Sequence, residues 1–433
     1  QAFRDLLADL RFLPNTPTLI NAGTELGQLM ACFVLPVPDS LHGIFTALHD
    51  AAIIQQSGGG TGFSFAHLRP RGDIVRSTRR PSSGPVPFIG LFDAMSDVIA
   101  GESVRGGANM GVLRFDHPDV REFITAKREP GRLTHFNLSV ALTDAFFIAL
   151  DAGRRIALVN PRSGETAGST SARALFDLMA ESAWETGDPG LLFLDRIERD
   201  NPTPTLGTLE STNPCGEVPL LPYEACCLGS INLPRILRHD GGRPTIDERS
   251  LAETVALAVR FLDDVIDASR YPLPEIEAIC RANRKIGLGV MGLADLLLEM
   301  DIAYGSPQSL ALIDHLMTVI EDAAVRETRA LADERGAFPN FAISRYAAAG
   351  EPPRRNATVT TVAPTGSISL IAGCSSGIEP LYALAYRHEG RFAQVVEPHP
   401  ALVAALERAG LATPEMLQEI EETGRIGHMT TLP

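Results

Sequence analysis

Short apolar runs of the β type alternate along this chain with longer segments of helical period, and that alternation predicts an α/β fold. Two further observations support it. Apolar residues make up 45% of the 433 residues and charged residues 21%, the balance of a globular chain long enough to bury a large core. Clusters of Gly, Pro and Ser punctuate the pattern at 57–62, 69–87 and 364–377, and none is long or simple enough to be an interdomain linker. Disorder, collagen and coiled coil are excluded as the main architecture.

The elements follow in chain order. Residues 2–11 and 43–56 read as amphipathic helices. Phe136 to Ala141 reads as a strand, 171–187 as a helix and Leu191 to Leu194 as a second strand. A polar, turn-rich break at 239–249 reads as a surface loop. Leu251, Val255, Leu262 and Val265 recur at helical spacing, as do Leu310, Ile313, Met317, Ile320 and Ala324. Between them Gly287-Leu288-Gly289-Val290-Met291-Gly292 matches a dinucleotide fingerprint, but no convincing strand precedes it. Its apolar residues continue into Leu293, Leu296 and Leu297, so 289–300 reads as a packed helix. Ala357–Val362 and Ile368–Ile371 read as strands, and 400–409 as a last helix. No internal repeat is present.

Charge and composition narrow the function. A net charge of −15 leaves no basic excess to neutralise phosphates, which excludes broad nucleic-acid binding. No apolar run approaches the ~18–20 residues of a membrane span. The chain begins at Gln1 with no charged-then-apolar leader after it. Six cysteines are too few for a disulfide scaffold, so a reducing, cytoplasmic setting is expected, with any working cysteine catalytic. Cys226 and Cys227 are the one close pair, which does not make a zinc ribbon. The ten His residues form no HExxH, and no metal site is expected.

Three segments carry chemistry. In Gly58-Gly59-Gly60-Thr61-Gly62, glycines permit either a tight turn or close approach of a ligand to the backbone. Ala363-Pro364-Thr365-Gly366-Ser367-Ile368 follows a strand-like run; it is either an N-capped turn or a set of N–H groups that holds an anion. In Asn213-Pro214-Cys215-Gly216-Glu217, alternate residues of an extended or looped segment point the same way. Asn213, Cys215 and Glu217 could then converge on one small molecule; the other reading is a buried structural cysteine.

Asn213-Pro214-Cys215-Gly216-Glu217, then Pro222-Tyr223-Glu224-Ala225-Cys226 and Leu228-Gly229-Ser230-Ile231-Asn232-Leu233, resembles the finger loop of ribonucleotide reductase catalytic subunits. Pro14-Asn15-Thr16-Pro17-Thr18, Ala31-Cys32-Phe33-Val34-Leu35-Pro36, the glycine run, Arg105-Gly106-Gly107-Ala108-Asn109-Met110 and Pro364-Thr365-Gly366-Ser367-Ile368 agree in order. The resemblance spans nearly the whole chain and is nearest to the adenosylcobalamin-dependent (class II) branch.

The resemblance implies a ten-stranded α/β barrel with the finger loop inside it, formed by residues 1–433 as one catalytic domain. It implies reduction of ribonucleotides to 2′-deoxyribonucleotides by a thiyl radical, with adenosylcobalamin as cofactor. Cys215 matches the radical cysteine that removes the ribose 3′-hydrogen. Glu217 matches the base for the 3′-hydroxyl, and Asn213 the amide that hydrogen-bonds substrate. Cys32 and Cys226 match the redox pair that becomes a disulfide. Thr16, Ala31, Cys32 and Gly60 match substrate-contacting positions, and Pro364, Thr365, Gly366, Ser367 and Ile368 the loop around the substrate phosphates. Asp39 and Arg69 match the effector site that selects the base to be reduced, and 102–110 the loop that relays that selection. The implied partners are a ribonucleoside di- or triphosphate, deoxynucleotide effectors, a thioredoxin-like or other dithiol reductant, and a second copy in a homodimer.

Some positions depart from the family pattern. Cys227 stands where the family usually has Asn and is expected to be a packing residue. Ser77-Thr78-Arg79-Arg80-Pro81 replaces a more glycine-rich loop. No ATP-cone-like segment precedes Arg11, and the chain stops at Pro433 without the C-terminal cysteine pair, so extensions at both ends are expected to be missing. Two alternatives remain: a class I large subunit whose radical comes from a second protein, and a non-catalytic nucleotide-binding fragment.

Overall fold

The computed structural model describes the chain except residues 77, 101–106, 242, 390–393 and 427–433. Among the described residues the main sheet has eight strands: β1 (Phe12–Pro14), β2 (Cys32–Pro36), β3 (Gly60–Ser64), β4 (Asn109–Arg114), β5 (Phe136–Leu142), β6 (Gly190–Phe193), β7 (Ala225–Asn232) and β8 (Ile286–Met291). Strands β2 to β6 run parallel in sequence order. At β2 the direction reverses: β7 pairs antiparallel with β2 and β1, and parallel with β8. The segment 357–362 lies beyond β8, joined by a parallel bridge at Leu288 and Thr360 and by the Leu288 N–H to the Val359 carbonyl at 2.8 Å. The sheet therefore has the two opposed parallel sets that a barrel of this type requires, and 357–362 extends the second set.

Parallel strands need crossovers, and the crossovers are helices. Helix α1 (Leu41–Gln56) joins β2 to β3, α2 (Pro85–Ala100) lies between β3 and β4, α3 (Ala172–Thr186) precedes β6, and α4 (Glu248–Ala268) lies between β7 and β8. The long α5 (Pro307–Arg335) packs beside α4. Ser40 caps α1 by accepting from the Gly43 N–H at 3.0 Å, and Asp247 caps α4 through the Ser250 N–H at 2.9 Å. The outer face of the sheet, with Phe33, Phe63, Leu138, Val140, Ile231, Ile286 and Leu288, forms one apolar core with these helices.

Two strand readings change. Residues 287–292 are not the start of a helix: Ile286–Met291 is a fully buried strand, and the helix begins at Leu293 after Gly292. A Cβ on Gly287 would press on Leu228 of β7 and Thr361 of the neighbouring segment, so the glycine spacing serves strand packing and no dinucleotide. Ile368–Ile371 is helical, within α6 (Gly366–Ala372), because the chain turns at Thr365 with a left-handed φ of 56°. The polar break near 239–249 contains a small hairpin, Leu237–Arg238 against Thr245–Ile246.

A buried polar cluster fixes the approach to α6. Asp263 of α4 is fully buried and accepts from Arg284 Nε and Asn356 Nδ2, both at 2.9 Å. These bonds tie α4, the entry to β8 and the start of 357–362 together. The next residues, 363–368, are thereby set over the inner face of the sheet.

Candidate active site

The finger loop is a hairpin on the inner face of the sheet. Ser211–Thr212 pairs antiparallel with Pro219–Leu220, and Gly216 closes the tip with φ +86°. Val218 and Leu220 of the hairpin pack with Cys32 and Val34 of β2, Cys226 and Leu228 of β7, and Ala363. The glycine run explains how the hairpin fits. A Cβ on Gly62 would overlap the Thr212 carbonyl oxygen, and one on Gly60 would lie 2.7 Å from Pro214 Cγ. The close approach made possible by these glycines is that of the hairpin itself. Asn137 of β5 adds a hydrogen bond from Nδ2 to the Pro214 carbonyl at 2.7 Å, and Thr361 Oγ1 donates to the Glu217 carbonyl at 3.0 Å.

The tip faces a cavity of about 220 Å³. Its walls include Thr16, Ala31, Cys32, Gly60, Asn213, Cys215 and Glu217, and also Pro364, Thr365, Gly366, Ser367 and Ile368. Five segments distant in sequence thus converge on one space. Cys226 is not on that wall. It lies directly behind Cys32 as its register partner in the β2–β7 ladder, 1% exposed.

Asn213 organises the tip. Its Oδ1 accepts from the Val218 N–H at 3.0 Å. That fixes the amide orientation, because only the oxygen can accept there. Its NH₂ group therefore points the other way, donating to Glu217 Oε2 at 2.5 Å and to Cys32 Sγ at 3.3 Å. One buried amide thus orients a carboxylate and a thiol toward the same cavity. Cys215 is exposed at the tip, so the reading as a buried structural cysteine does not hold.

The two adjacent cysteines of β7 point to opposite faces, as a strand requires. Cys226 packs on the inner face with Cys32. Cys227 belongs to the outer core, its Sγ 3.3 Å from the Leu262 carbonyl of α4. Burial pushes both thiols up from their ordinary value, Cys226 well up. Cys227 is thereby a packing residue, as expected.

On the 363–368 loop, Thr365 Oγ1 accepts from the Gly377 N–H at 2.7 Å, which helps hold the left-handed turn. Asp39 and Arg69 are also brought together, but facing each other: Arg69 Nε donates to both Asp39 carboxylate oxygens at 3.0 Å. The pair lies away from the cavity. Of the 102–110 loop, residues 102–106 lie outside the described residues, as do Arg105 and Gly106 of the Arg-Gly-Gly-Ala-Asn-Met string and Ser77 of the 77–81 loop. Asn109 acts as a bolt. Its Oδ1 accepts from Thr61 Oγ1 at 2.7 Å and Gln55 Nε2 at 2.8 Å, and its Nδ2 donates to Ser96 Oγ at 2.7 Å. Sequence reasoning missed Asn137, Thr361 and this bolt, because nothing in their spacing links them to the finger loop. Among the described residues no cluster of His, Cys, Asp or Glu could hold a metal ion, and no helix is long and apolar enough to cross a membrane.

Known proteins share this arrangement. The chain matches the family model described as ribonucleotide reductase, barrel domain, over residues 30–354 and 348–433. It is 51% identical to a vitamin B12-dependent ribonucleoside-diphosphate reductase of Mycobacterium tuberculosis (strain CDC 1551 / Oshkosh) over 100% of this chain and 62% of that protein. A protein of the same name from Thermoplasma acidophilum is 49% identical over 98% of this chain and 55% of its own length. The chain thus spans less than two thirds of these curated relatives. Among solved structures, the class Id ribonucleotide reductase alpha subunit of Actinobacillus ureae superposes with a TM-score of 0.79 at 25% identity, covering 100% of this chain and 76% of that one. The opposed parallel strand sets, the hairpin on their inner face and the match over nearly every residue lead to one assignment: the chain belongs to the ribonucleotide reductase barrel-domain family.

Proposed function

We propose that residues 1–433 are the catalytic barrel domain of an adenosylcobalamin-dependent ribonucleoside-diphosphate reductase, which makes 2′-deoxyribonucleotides as DNA precursors. The observation that carries this reading is the convergence of Asn213, Cys215, Glu217 and Cys32 on one cavity, with Cys226 as register partner behind Cys32. The vitamin B12-dependent names of the half-identical relatives support the cofactor and the diphosphate substrate.

The chemistry assigns each side chain a task. Cys215 takes the 3′-hydrogen of the ribose as a thiyl radical and later returns it. Glu217, oriented by Asn213, accepts the 3′-hydroxyl proton. Cys32 and Cys226 give up two hydrogen atoms and form one S–S bond, while the 2′ C–O bond breaks and its oxygen leaves as water. The loop at 364–368 and Thr16 position the nucleotide.

The residues present fit the cofactor in one respect. Cys215 is exposed at the tip, beside the small Gly216 and on the same cavity as the exposed Ala108. A large cofactor would be held against these residues, within reach of the thiol. When bound it supplies the radical; the protein supplies positioning and exclusion of water. Asp39 and Arg69 are proposed as part of an effector site for deoxynucleotides, where a ligand phosphate competes for the Arg69 fork. A homodimer, a dithiol reductant such as a thioredoxin-like protein, and a cytoplasmic setting complete the reading.

The complete protein is expected to reduce ribonucleoside diphosphates with adenosylcobalamin and a dithiol, without a partner subunit, as measured by chromatography of the deoxynucleotides. The likeness to a class Id alpha subunit makes the other outcome specific: activity only with a separate metal-containing subunit would replace this reading by a class I one.

The geometry also separates the thiols. A single turnover without reductant, quenched by alkylation and mapped by mass spectrometry, is expected to yield one disulfide, Cys32–Cys226. Cys227, Cys280 and Cys374 should remain thiols. A Cys32–Cys227 bridge would contradict the opposite faces of β7.

A further inference from the structure

Behind the two inner-face cysteines lies a buried ion pair that the reaction scheme above does not use. Lys285 Nζ is 2.5 Å from Glu224 Oε2, with the side chains 2% and 1% exposed. Glu224 is further held by the Leu221 N–H at 2.6 Å and by Asn283 Nδ2 at 2.5 Å, and Asn340 in turn holds Asn283 at 2.8 Å. Taking two charges out of water costs several kcal/mol per ion, and apolar pairs of the same volume usually serve stability as well or better. A pair kept at such a place invites a functional reason.

Its position in the sheet gives one. The β7–β8 ladder pairs Cys227 with Ile286, and both belong to the outer core. Cys226 precedes Cys227 on β7 and Lys285 immediately precedes β8, so the two residues lie side by side at the start of the β7–β8 ladder. Glu224, just ahead of β7, meets Lys285 there. On the other side of β7, Cys226 pairs with Cys32. Cys32 on β2, Cys226 on β7 and Lys285 just ahead of β8 therefore follow one another across the sheet. The Lys285 ammonium draws the Cys226 thiol down against the larger upward push of burial.

We propose that Lys285, held in place by Glu224, is a positioning residue for the redox pair: it stabilises the negative charge that appears on sulfur while Cys32 and Cys226 are oxidised. This rests on the reductase reading. Two thiols become one disulfide by losing two electrons and two protons, and those electrons and protons convert the C2′–OH of the substrate to C2′–H plus water. One thiol proton leaves ahead of its electron, to the departing 2′-oxygen. Until the electrons follow and the second proton is lost, the sulfur pair is anionic in a buried, low-dielectric site, where a nearby fixed cation is worth far more than in water. Removal of the 3′-hydrogen by Cys215 and of the 3′-hydroxyl proton by Glu217 precedes this stage and gains nothing from Lys285.

The test uses the complete protein with its cofactor and a 3′-tritiated ribonucleoside diphosphate. Lys285→Met should slow formation of the Cys32–Cys226 disulfide in a single turnover at least tenfold, and leave the release of 3′-tritium within about twofold. Lys285→Arg should restore most of the rate. Because Lys285→Met leaves Glu224 buried and unpaired, the double variant Lys285→Met/Glu224→Gln, which buries no charge, is measured beside it and should show the same split. Equal loss of both steps in the double variant would assign the pair to folding alone, and an unchanged disulfide rate would remove it from the reaction; either overturns the proposal. Absence of deoxynucleotide formation by the wild-type protein would instead overturn the reductase reading itself.

Discussion

Cys215→Ser is expected to bring deoxynucleotide formation down to background while nucleotide affinity stays within a few-fold. The substitution is close to isosteric, and the side chain is exposed at the hairpin tip. No core packing depends on it. The backbone around it is held by Asn137 and Thr361 and by the Asn213–Val218 bonds, none of which involves the sulfur. A hydroxyl O–H is far stronger than a thiol S–H, so serine cannot carry the radical that a ribose C–H bond will feed. Turnover by chromatography and binding by calorimetry measure the two quantities separately. Glu217→Gln should fall between wild type and this variant, since a general base contributes ~10²–10⁴-fold. Near-normal turnover by Cys215→Ser would remove this residue from the radical step.

Several helices were legible, but α2 and most of the sheet were not. Helix α4 keeps a clean apolar stripe from Leu251 to Ile266, and α1 and α3 fall within a few residues of their expected bounds, whereas α5 runs on to Arg335, well past the Leu310–Ala324 pattern. Strands buried on both faces have no such alternation. Ala225–Asn232 is buried at all eight positions yet reads Ala-Cys-Cys-Leu-Gly-Ser-Ile-Asn. Its small and polar residues are dictated by the helix on one side and the finger loop on the other. The same holds for β2, β3 and β8, whose Cys and Gly residues were informative as motif strings and silent as strands. Ile368–Ile371 misled because β-branched residues suit both states, and a left-handed Thr365 that starts a helix leaves no mark in composition. The alternate residues of the finger loop were legible because three groups lay within five positions. The Lys285–Glu224 pair was not, since its meaning comes from the register of β7 against β8.

Gly62→Ala is expected to lower turnover by about 10²-fold with the protein still folded. The added methyl would occupy the place of the Thr212 carbonyl oxygen. That oxygen belongs to backbone, so no rotamer change can relieve the overlap. Thr212 pairs with Pro219, and the hairpin must shift as a unit. Forcing a methyl into a packed site costs typically ~1–3 kcal/mol, which a core of this size can absorb. The reaction is less tolerant. The hairpin carries Asn213, Cys215 and Glu217, and a displacement of about 1 Å in reacting groups can cost 10²-fold. Gly90→Ala is the matched control: nothing lies within 4 Å of its added Cβ, and it sits inside α2. Alanine there should be neutral or slightly stabilising, because it replaces a poor helix former. The two variants are compared by thermal unfolding and by steady-state kinetics with the complete protein. A folded Gly62→Ala enzyme with full activity would mean that the hairpin is not seated against β3 when the reaction occurs.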